Sequence, residues 1–432
     1  MQTLSELPTF ELDGERFIRP DFSGRGLANV APTVLRLLAP EADELDLPPL
    51  SPEVLPPSLT TGVRHVVLLI ADGLGHHQLQ REIARGNAPH LGELLAQATA
   101  GHELVSYQPI TSVFPTTTVS ALGSVNSAVT PAEHGLLSYT IYLPEFEMVA
   151  EMIRWGPLNR RISFTDPEFG RTPEEFFWAP TMYRRLHEAG LERTFAVNPT
   201  GFAGTALTRM LHQQATYCGY VATSSVVAIV PRLLVDASQP TYIYGYWPTV
   251  DTISHLVGPM TDEHGAEVGN FDSAFARLLQ RLNGTDDTLL LLSADHGHVG
   301  TEPELQVSLD DHAELLAMLR LPPAAERRAV YLYARDGALD EVIGYVRQRL
   351  GDVTTAISRE DAVREGLFGP GQISERALAR IGDVLLFPRE NLQFVATVLG
   401  LDGTPMRAPL FRGLHGGLTE DEALVPLLAV RL

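Results

Sequence analysis

The sequence of 432 residues contains no lysine, so all 32 of its Lys and Arg positions are arginine. Any cationic contact with a phosphate group must therefore come from arginine or from a metal ion. The net charge of −21 opposes nonspecific binding to nucleic acid and to anionic membrane surfaces. We therefore expect neither a nucleic-acid polymer nor a membrane as a partner.

Disulfides and long apolar segments are also missing. The one cysteine, Cys218, excludes an internal disulfide. No uninterrupted apolar stretch approaches the roughly 20 residues needed to span a bilayer. Residues 1–20 carry acidic side chains and lack the apolar centre of a signal peptide. These absences predict a soluble, cytoplasmic protein.

Short apolar runs alternate with segments of helical periodicity between residues 65 and 310. Such runs, bounded by Gly and Pro, are typical of buried parallel strands. We therefore predict an α/β fold with a mostly parallel central sheet and helices on both faces. The core comprises residues 1–310 and 386–432. Residues 311–385 contain two strand-like runs around a helical segment, Leu339 to Leu350, and are predicted to form a small inserted α/β subdomain.

Three of the apolar runs lead into an Asp, and a late glycine-rich turn carries a His. The residues concerned are Asp72, Asp251 with His255, Asp295 with His296, and His415. Ligands of open α/β sheets collect outside the carboxyl ends of the strands, so we expect these side chains to converge on one rim. An Asp after a strand is often only a helix cap, and the joint occurrence is what favours a site. Mixed carboxylate and imidazole ligands suit zinc or manganese better than magnesium or calcium.

A run of hydroxyl side chains, Thr116 to Thr118, follows Pro115, which fits a helix start. A hydroxyl in the first turn of a helix lies among unpaired N–H donors at the positive end of the dipole, where an anion binds well. The alternative is that the threonines only cap the helix. Local chemistry does not choose among them, and Ser112 is a further rival.

Taken in order, these motifs resemble the alkaline phosphatase superfamily, most closely its nucleotide pyrophosphatase/phosphodiesterase branch. The resemblance runs from about residue 65 to 420. It includes the Pro131-Ala132-Glu133-His134-Gly135 turn and the Gly258-Pro259 pair that follows His255. In that branch the nucleophile stands at a fixed distance before the Pro and His of this turn, which selects Thr118.

The resemblance implies two divalent metal ions, zinc first and manganese as the alternative. Thr118 would be the nucleophile, forming a covalent phosphothreonine ester that water then cleaves. One metal would be held by Asp72, Thr118, Asp295 and His296, and the other by Asp251, His255 and His415. His298 is expected to line the rim without being a ligand, and His134 to shape its turn.

Two positions depart from the branch pattern. Thr118 is followed by Val119 instead of the usual Phe, and Tyr139 aligns with an Asn that helps to hold a phosphoryl oxygen. A phenol can also donate one hydrogen bond, so Tyr139 is a candidate substrate-binding residue.

The function implied is hydrolysis of a small phosphodiester or nucleotide pyrophosphate. Monoesterases of the superfamily need additional cations, often lysine, which this chain lacks, although Arg154 is a candidate substitute. A phosphomonoesterase or a phosphonate hydrolase on the same fold is the alternative, and a non-catalytic metal-binding protein is a more remote one. The oligomeric state stays open.

Overall fold

A computed structural model describes residues 7–42, 45–235, 238–406 and 410–432, without the side chain of Pro303. The strands in chain order are β1 (Thr9–Leu12), β2 (Glu15–Ile18), β3 (His65–Ala71), β4 (Val105–Thr111), β5 (Thr140–Leu143), β6 (Met148–Glu151), β7 (Gly156–Pro157), β8 (Thr194–Pro199), β9 (Thr216–Tyr220), β10 (Thr241–Trp247), β11 (Thr288–Ser293), β12 (Val299–Gly300), β13 (Gln306–Ser308), β14 (Ala324–Glu326), β15 (Ala329–Leu332), β16 (Thr354–Ser358), β17 (Val384–Pro388), β18 (Gln393–Val395), β19 (Val398–Leu399), β20 (Pro405–Met406), β21 (Gly413–Leu414) and β22 (Leu424–Arg431).

The α-helices are α1 (Val30–Leu38), α2 (Pro57–Thr60), α3 (His76–Ala84), α4 (Pro89–Thr99), α5 (Thr118–Val125), α6 (Pro131–His134), α7 (Pro173–Phe176), α8 (Met182–Glu188), α9 (Ala206–Leu211), α10 (Val226–Leu234), α11 (Thr249–Val257), α12 (Asp262–Leu282), α13 (Ala313–Ala317), α14 (Leu339–Arg349), α15 (Arg359–Arg364), α16 (Glu375–Leu378) and α17 (Glu420–Ala423).

The central sheet has seven strands in the order β4-β22-β11-β3-β10-β8-β9. Its pairings from β11 to β9 are all parallel, and only β22 runs against its two neighbours. Helices flank the sheet in two packed groups, one of α1, α5 and α8 and the other of α4, α10 and α12. The predicted α/β class with a mostly parallel sheet is confirmed.

Three adjacent strands, β3, β10 and β11, carry the residues that matter most. All three are buried along their whole length, which explains why their sequences are apolar runs without alternation. In register, Ala71 is paired with Trp247, and Ile70 is paired with Ser293. The three strands therefore end at the same edge, and the segments that follow them leave the sheet side by side.

Two helices begin near that edge. α5 starts at Thr118, with Thr117 in extended conformation as its N-cap, so Pro115 precedes the helix and does not begin it. α11 follows β10 and carries Asp251 in its first turn and His255 in its last. The spacing of four residues places both on one face of this helix.

A second, antiparallel sheet has the order β14-β15-β17-β16. Val330 and Leu332 of β15 pack into a separate apolar cluster with α14, whereas Tyr331 and Tyr333 pack into the main core. Both faces of this sheet are therefore buried, one against the core. Its strands lie between Ala324 and Pro388, so β17 crosses the predicted boundary at residue 385. The range 311–385 for an inserted subdomain stays a prediction.

In the described part of the chain, no helix combines the length and the apolar character needed to cross a bilayer.

Candidate active site and metal centre

The first cluster at the sheet edge consists of Asp72, Asp295 and His296. Nε2 of His296 lies 3.5 Å from Oδ1 of Asp72 and 3.5 Å from Oδ2 of Asp295. The three ligand atoms lie within 4.8 Å of one another, which is close enough to share one cation. Asp72 directly follows β3 and Asp295 follows β11 by two residues, so the parallel register brings them together.

Backbone and side-chain donors hold the two carboxylates of this cluster in place. The backbone N–H groups of Gly73 and His296 both donate to Oδ1 of Asp295, over 3.1 and 3.0 Å. The Tyr246 hydroxyl donates to Oδ2 of Asp72. Gly73 has a φ of +72°, and a Cβ there would stand 2.8 Å from Nε2 of His298. Asp72 is thus followed by glycine because a side chain would enter the site.

The second cluster surrounds Asp251. Its Oδ1 lies 3.3 Å from Nε2 of His255, 2.9 Å from Nε2 of His298 and 3.9 Å from Nε2 of His415. Burial opposes ionisation of Asp251, but the facing histidines outweigh it and hold the pKa of this carboxyl well below its ordinary value. His298, expected to line the rim, lies within this cluster and hydrogen-bonds its Asp.

The histidines that the sequence predicts as ligands share one orientation. Nδ1 of His255 donates to the Gly413 carbonyl over 2.7 Å, and Nδ1 of His415 donates to the Thr116 carbonyl over 2.9 Å. Nδ1 of His296 faces the carbonyl of Gly297 at 3.2 Å. A ring that donates from Nδ1 keeps a lone pair on Nε2, and carbonyl partners of this kind commonly orient metal-binding histidines.

Both clusters fit cations. Oδ1 of Asp72 and Oδ2 of Asp295 are buried and have no hydrogen-bond partner among the described residues. Burial, followed by the charges of Asp295 and Asp251, raises the pKa of Asp72 well above its ordinary value. A buried carboxylate oxygen without a hydrogen-bond partner is unfavourable for folding. A metal ion bound among these oxygens would remove that penalty. Carboxylate and imidazole together form a donor set suited to zinc.

The Thr118 hydroxyl is the one that faces the first cluster. Its Oγ1 lies 3.3 Å from Nε2 of His296. The rival hydroxyls are engaged elsewhere: Ser112 donates to the Asp295 carbonyl, and Thr116 donates to the Gly417 carbonyl over 2.8 Å. Thr117 hydrogen-bonds Glu326. Of these hydroxyls, that of Thr118, at the first position of α5, is therefore the one that faces the first cluster.

Tyr139 and Arg154 line a cavity that Thr118 also lines, and both are hydrogen-bonded to a third residue, Glu151. The Tyr139 hydroxyl donates to Oε1 of Glu151 over 2.8 Å, and Nε of Arg154 donates to Oε2 over 3.0 Å. Arg154 also donates to three main-chain carbonyls, those of Arg160, Pro157 and Ile162. Neither side chain is aimed at Thr118 in this arrangement.

His134, which the sequence assigns to its turn, is buried away from both clusters. Its Nδ1 accepts from the backbone N–H of Leu136 over 3.0 Å, and its Nε2 lies 3.1 Å from Oγ of Ser124. Burial, the largest cause, lowers the pKa of His134 to about 3.

Sequence reasoning missed two residues of the site. Tyr246 lies inside the apolar run of β10 and gave no signal as a partner of Asp72. Glu326 comes from β14, the edge strand of the second sheet, and lines the cavity beside Thr117 and Thr118. Burial, as the largest cause, raises the pKa of Glu326 to about 7. Its only sequence neighbours of note are arginines, so no local pattern indicates a role.

Two cavities meet at the candidate nucleophile, and Thr118 and Asp251 line both. The larger encloses about 510 Å³ and reaches His255, His415 and Glu326. The smaller encloses about 210 Å³ and is lined by Asp72, Phe202 and His212. A group bound at Thr118 can therefore carry one substituent into each cavity.

Comparison with known proteins agrees with this geometry. The family model of type I phosphodiesterase/nucleotide pyrophosphatase matches residues 66–417. No curated protein matches by sequence. Murine ectonucleotide pyrophosphatase/phosphodiesterase 5 is similar in structure, with a TM-score of 0.59 at 15% identity over 84% of this chain and 87% of that one.

Phosphonoacetate hydrolase from Sinorhizobium meliloti 1021, in complex with phosphonoacetate, has a TM-score of 0.60 at 17% identity, over 99% of this chain and 94% of that one. At these identities the two structures show a shared fold. The family match covers most of the chain and confirms the resemblance seen in the sequence. The chain belongs to the type I phosphodiesterase/nucleotide pyrophosphatase family, within the alkaline phosphatase superfamily.

Proposed function

We propose that this protein hydrolyses phosphodiesters with two divalent metal ions and a covalent phosphothreonine intermediate. The observation that carries the proposal is the pair of cavities that meet at Thr118 and Asp251. A phosphodiester carries two organic groups on phosphorus, and each would have its own cavity. A monoester would leave one cavity empty. Nucleotides and nucleotide pyrophosphates fall within the proposed class.

Two sets of residues would hold the metals. Asp72, Thr118, Asp295 and His296 would bind one ion, and Asp251, His255 and His415 the other. Zinc is the first choice, with manganese as the alternative, because both sets mix carboxylate with imidazole. When bound, such ions lower the pKa of a hydroxyl and stabilise charge on a leaving oxygen.

The chain's own residues supply position and polarity. The Thr118 hydroxyl gives its proton to solvent, Oγ1 attacks phosphorus, and the P–O bond to the leaving group breaks. The departing oxygen takes a proton from water. In the second step a water oxygen attacks phosphorus, the bond to Oγ1 of Thr118 breaks, and a phosphomonoester leaves with the hydroxyl restored. The first turn of α5 presents unpaired N–H groups to the phosphoryl oxygens in both steps.

A murine relative of the same fold has been solved as an inactive variant in complex with AMP, which is consistent with a nucleotide-sized ligand in this fold. Tyr139 stays a proposed substrate-binding residue. Its hydroxyl would have to leave Glu151 to reach a phosphoryl oxygen.

Phosphonate hydrolysis is the second candidate, and one observation favours it. The phosphonoacetate hydrolase structure aligns with 99% of this chain, and the larger cavity includes Arg161 and Arg327 on its wall, where they could bind a carboxylate. Here the leaving group would be carbon, stabilised by that carboxylate.

The test is metal content together with a substrate panel. We expect about two equivalents of zinc per chain, loss of activity on chelation, and recovery when zinc is added. Turnover of bis(p-nitrophenyl) phosphate should exceed turnover of p-nitrophenyl phosphate and of phosphonoacetate. Preferential release of phosphate from phosphonoacetate would support the second candidate. Zinc binding without turnover of any of the three would identify a metal-binding protein and overturn the proposal.

A further inference from the structure

One carboxylate of the larger cavity, that of Glu326, belongs to neither candidate metal cluster. Within the described ranges, no salt bridge reaches Glu326. Its partners are neutral donors: the backbone N–H of Tyr139 at 3.0 Å, the Ser138 hydroxyl at 3.4 Å, and the hydroxyl of Thr117. The guanidinium of the next residue, Arg327, donates to Gln393 and lies over the Phe411 ring.

The position of Glu326 is defined from two sides. Thr117, which it hydrogen-bonds, immediately precedes Thr118. On the other side, Gly416 immediately follows His415 and has a φ of +121°; a Cβ added there would stand 2.5 Å from Cβ of Glu326. The side chain is therefore wedged between the turn that presents the nucleophile and the turn that presents a predicted ligand of the second metal.

Glu151, the other glutamate on this cavity wall, is different. Its carboxylate accepts from the guanidinium of Arg154 and from the Tyr139 hydroxyl. The carboxylate of Glu151 forms a salt bridge with an arginine, whereas the charge of Arg327 acts on Glu326 from beyond salt-bridge distance.

The electrostatic consequence depends on the charge of the substrate. A phosphodiester carries one negative charge on its phosphoryl group, and a monoester at alkaline pH carries two. A carboxylate without a salt bridge, in a cavity of reduced dielectric, repels the doubly charged phosphoryl group more strongly than the singly charged one. Three hydrogen-bond donors favour the ionised form of Glu326, while burial raises its pKa to about 7, so the group is ionised in alkaline solution.

We propose that Glu326 is a specificity-determining residue, which disfavours phosphoryl groups of charge −2 and so directs the site towards phosphodiesters. This inference rests on the proposed function and assigns the preference for diesters to a residue outside the metal clusters.

The first test compares Glu326→Gln with the unchanged protein, both loaded with zinc, at pH 8.5. Gln keeps the size of the side chain and removes the charge. We expect the ratio of kcat/KM for p-nitrophenyl phosphate over bis(p-nitrophenyl) phosphate to rise about tenfold or more. Glu326→Asp retains the charge and should keep the original ratio.

The second test does not depend on turnover. Inorganic phosphate is mainly a dianion at pH 8.5, and its affinity for the zinc-loaded protein can be measured by calorimetry. We expect Glu326→Gln to bind phosphate about tenfold more tightly. If the Gln variant does not fold, Glu326→Ala removes the same charge and serves in its place.

Three results would overturn the inference. An unchanged substrate ratio with unchanged phosphate affinity would show that the charge of Glu326 does not affect phosphoryl groups bound at the site. An equal loss on both substrates would indicate a purely structural role. A fall in zinc content in Glu326→Gln would make Glu326 a metal ligand. If the unchanged protein hydrolyses no diester, the proposed function fails, and phosphate affinity still decides the role of Glu326.

Discussion

The two metal-ligand clusters differ in where they lie. The side chains of Asp72, Asp295 and His296 are 4%, 0% and 0% exposed, and two of these residues stand directly beyond parallel strands. The second cluster is carried by helix α11 and by a turn from the end of the chain, and the side chains of Asp251 and His255 are 16% and 18% exposed. It lines the larger cavity, whereas Asp72 of the first cluster lines the smaller one.

The two clusters also differ in the types of side chain that they contain. The first has two carboxylates and one imidazole, so its ionised form is unfavourable unless a cation neutralises it. The second has one carboxylate among several imidazoles, which already favour its ionised form. This comparison suggests a division of work: the buried cluster holds the nucleophile in place, and the accessible one faces the leaving group and the entering water. The predictions below test that division.

The largest effect is expected at Thr118. Thr118→Ala should lower kcat by on the order of a thousandfold or more, because the attacking oxygen is absent. Thr118→Ser should keep part of the activity, since it offers the same oxygen. The second cluster should still bind its zinc in both variants. Full activity of Thr118→Ala, or inactivity confined to Ser112→Ala, would assign the nucleophile elsewhere.

Removal of one histidine of the accessible cluster should separate the two metals. His415→Ala is expected to lose about one equivalent of zinc and to keep the other, with activity reduced by about 100-fold. Elemental analysis after gel filtration measures the zinc. His312→Ala is a control, because His312 contacts Tyr345, belongs to neither cluster and should keep full zinc. Loss of both metals in His415→Ala would show that the clusters do not bind independently.

Replacement of Asp72 and replacement of Asp251 should change the free energy of unfolding of the metal-free protein in opposite directions. In EDTA, Asp72→Asn should increase the free energy of unfolding by about 1 kcal/mol, because the folded state penalises this carboxylate. Asp251→Asn should lower it by a similar amount, since the ionised form of Asp251 is favoured by its histidines. A raised pKa means that ionised Asp72 opposes folding increasingly as pH rises. A lowered pKa means that Asp251 stabilises the fold above its unfolded pKa. Urea unfolding at pH 8 distinguishes the signs.

The last prediction concerns His134, a histidine outside both clusters. The pKa of His134 is about 3 in the folded state, below its unfolded value of 6.5. Between these two pH values the unfolded chain is protonated at this histidine and the folded chain is not. The stability it contributes is present above pH 6.5 and is lost as pH falls below that value. In EDTA, the free energy of unfolding of the unchanged protein should fall between pH 6 and 5. In His134→Gln that fall should be smaller, by up to about 1.4 kcal/mol per pH unit. An unchanged slope would contradict the lowered pKa.

Much of this arrangement could be predicted because strand ends are local features. Asp72 and Asp295 stand directly after runs that are buried on both faces, and parallel register makes such residues neighbours. Predictions were weaker where the partner is distant in the chain. Local chemistry leaves open which hydroxyl faces the first cluster. The spacing of the resembled family selects Thr118, and the contacts of Ser112, Thr116 and Thr117 with other groups agree with that choice. The substrate role of Tyr139 stays a prediction, because its hydroxyl meets Glu151, which the alignment did not suggest.

The sequence by itself determined the α/β class, the family and the order of the Asp and His motifs. These depend on apolar runs, turn residues and spacing, all of which are written along the chain. Only the tertiary structure decided the orientation of the histidine rings, the hydrogen bond from Tyr246 to Asp72 and the entry of Glu326 from the second sheet. Those features depend on which distant segments pack together, because a short-range pattern contains no information about a partner on another element.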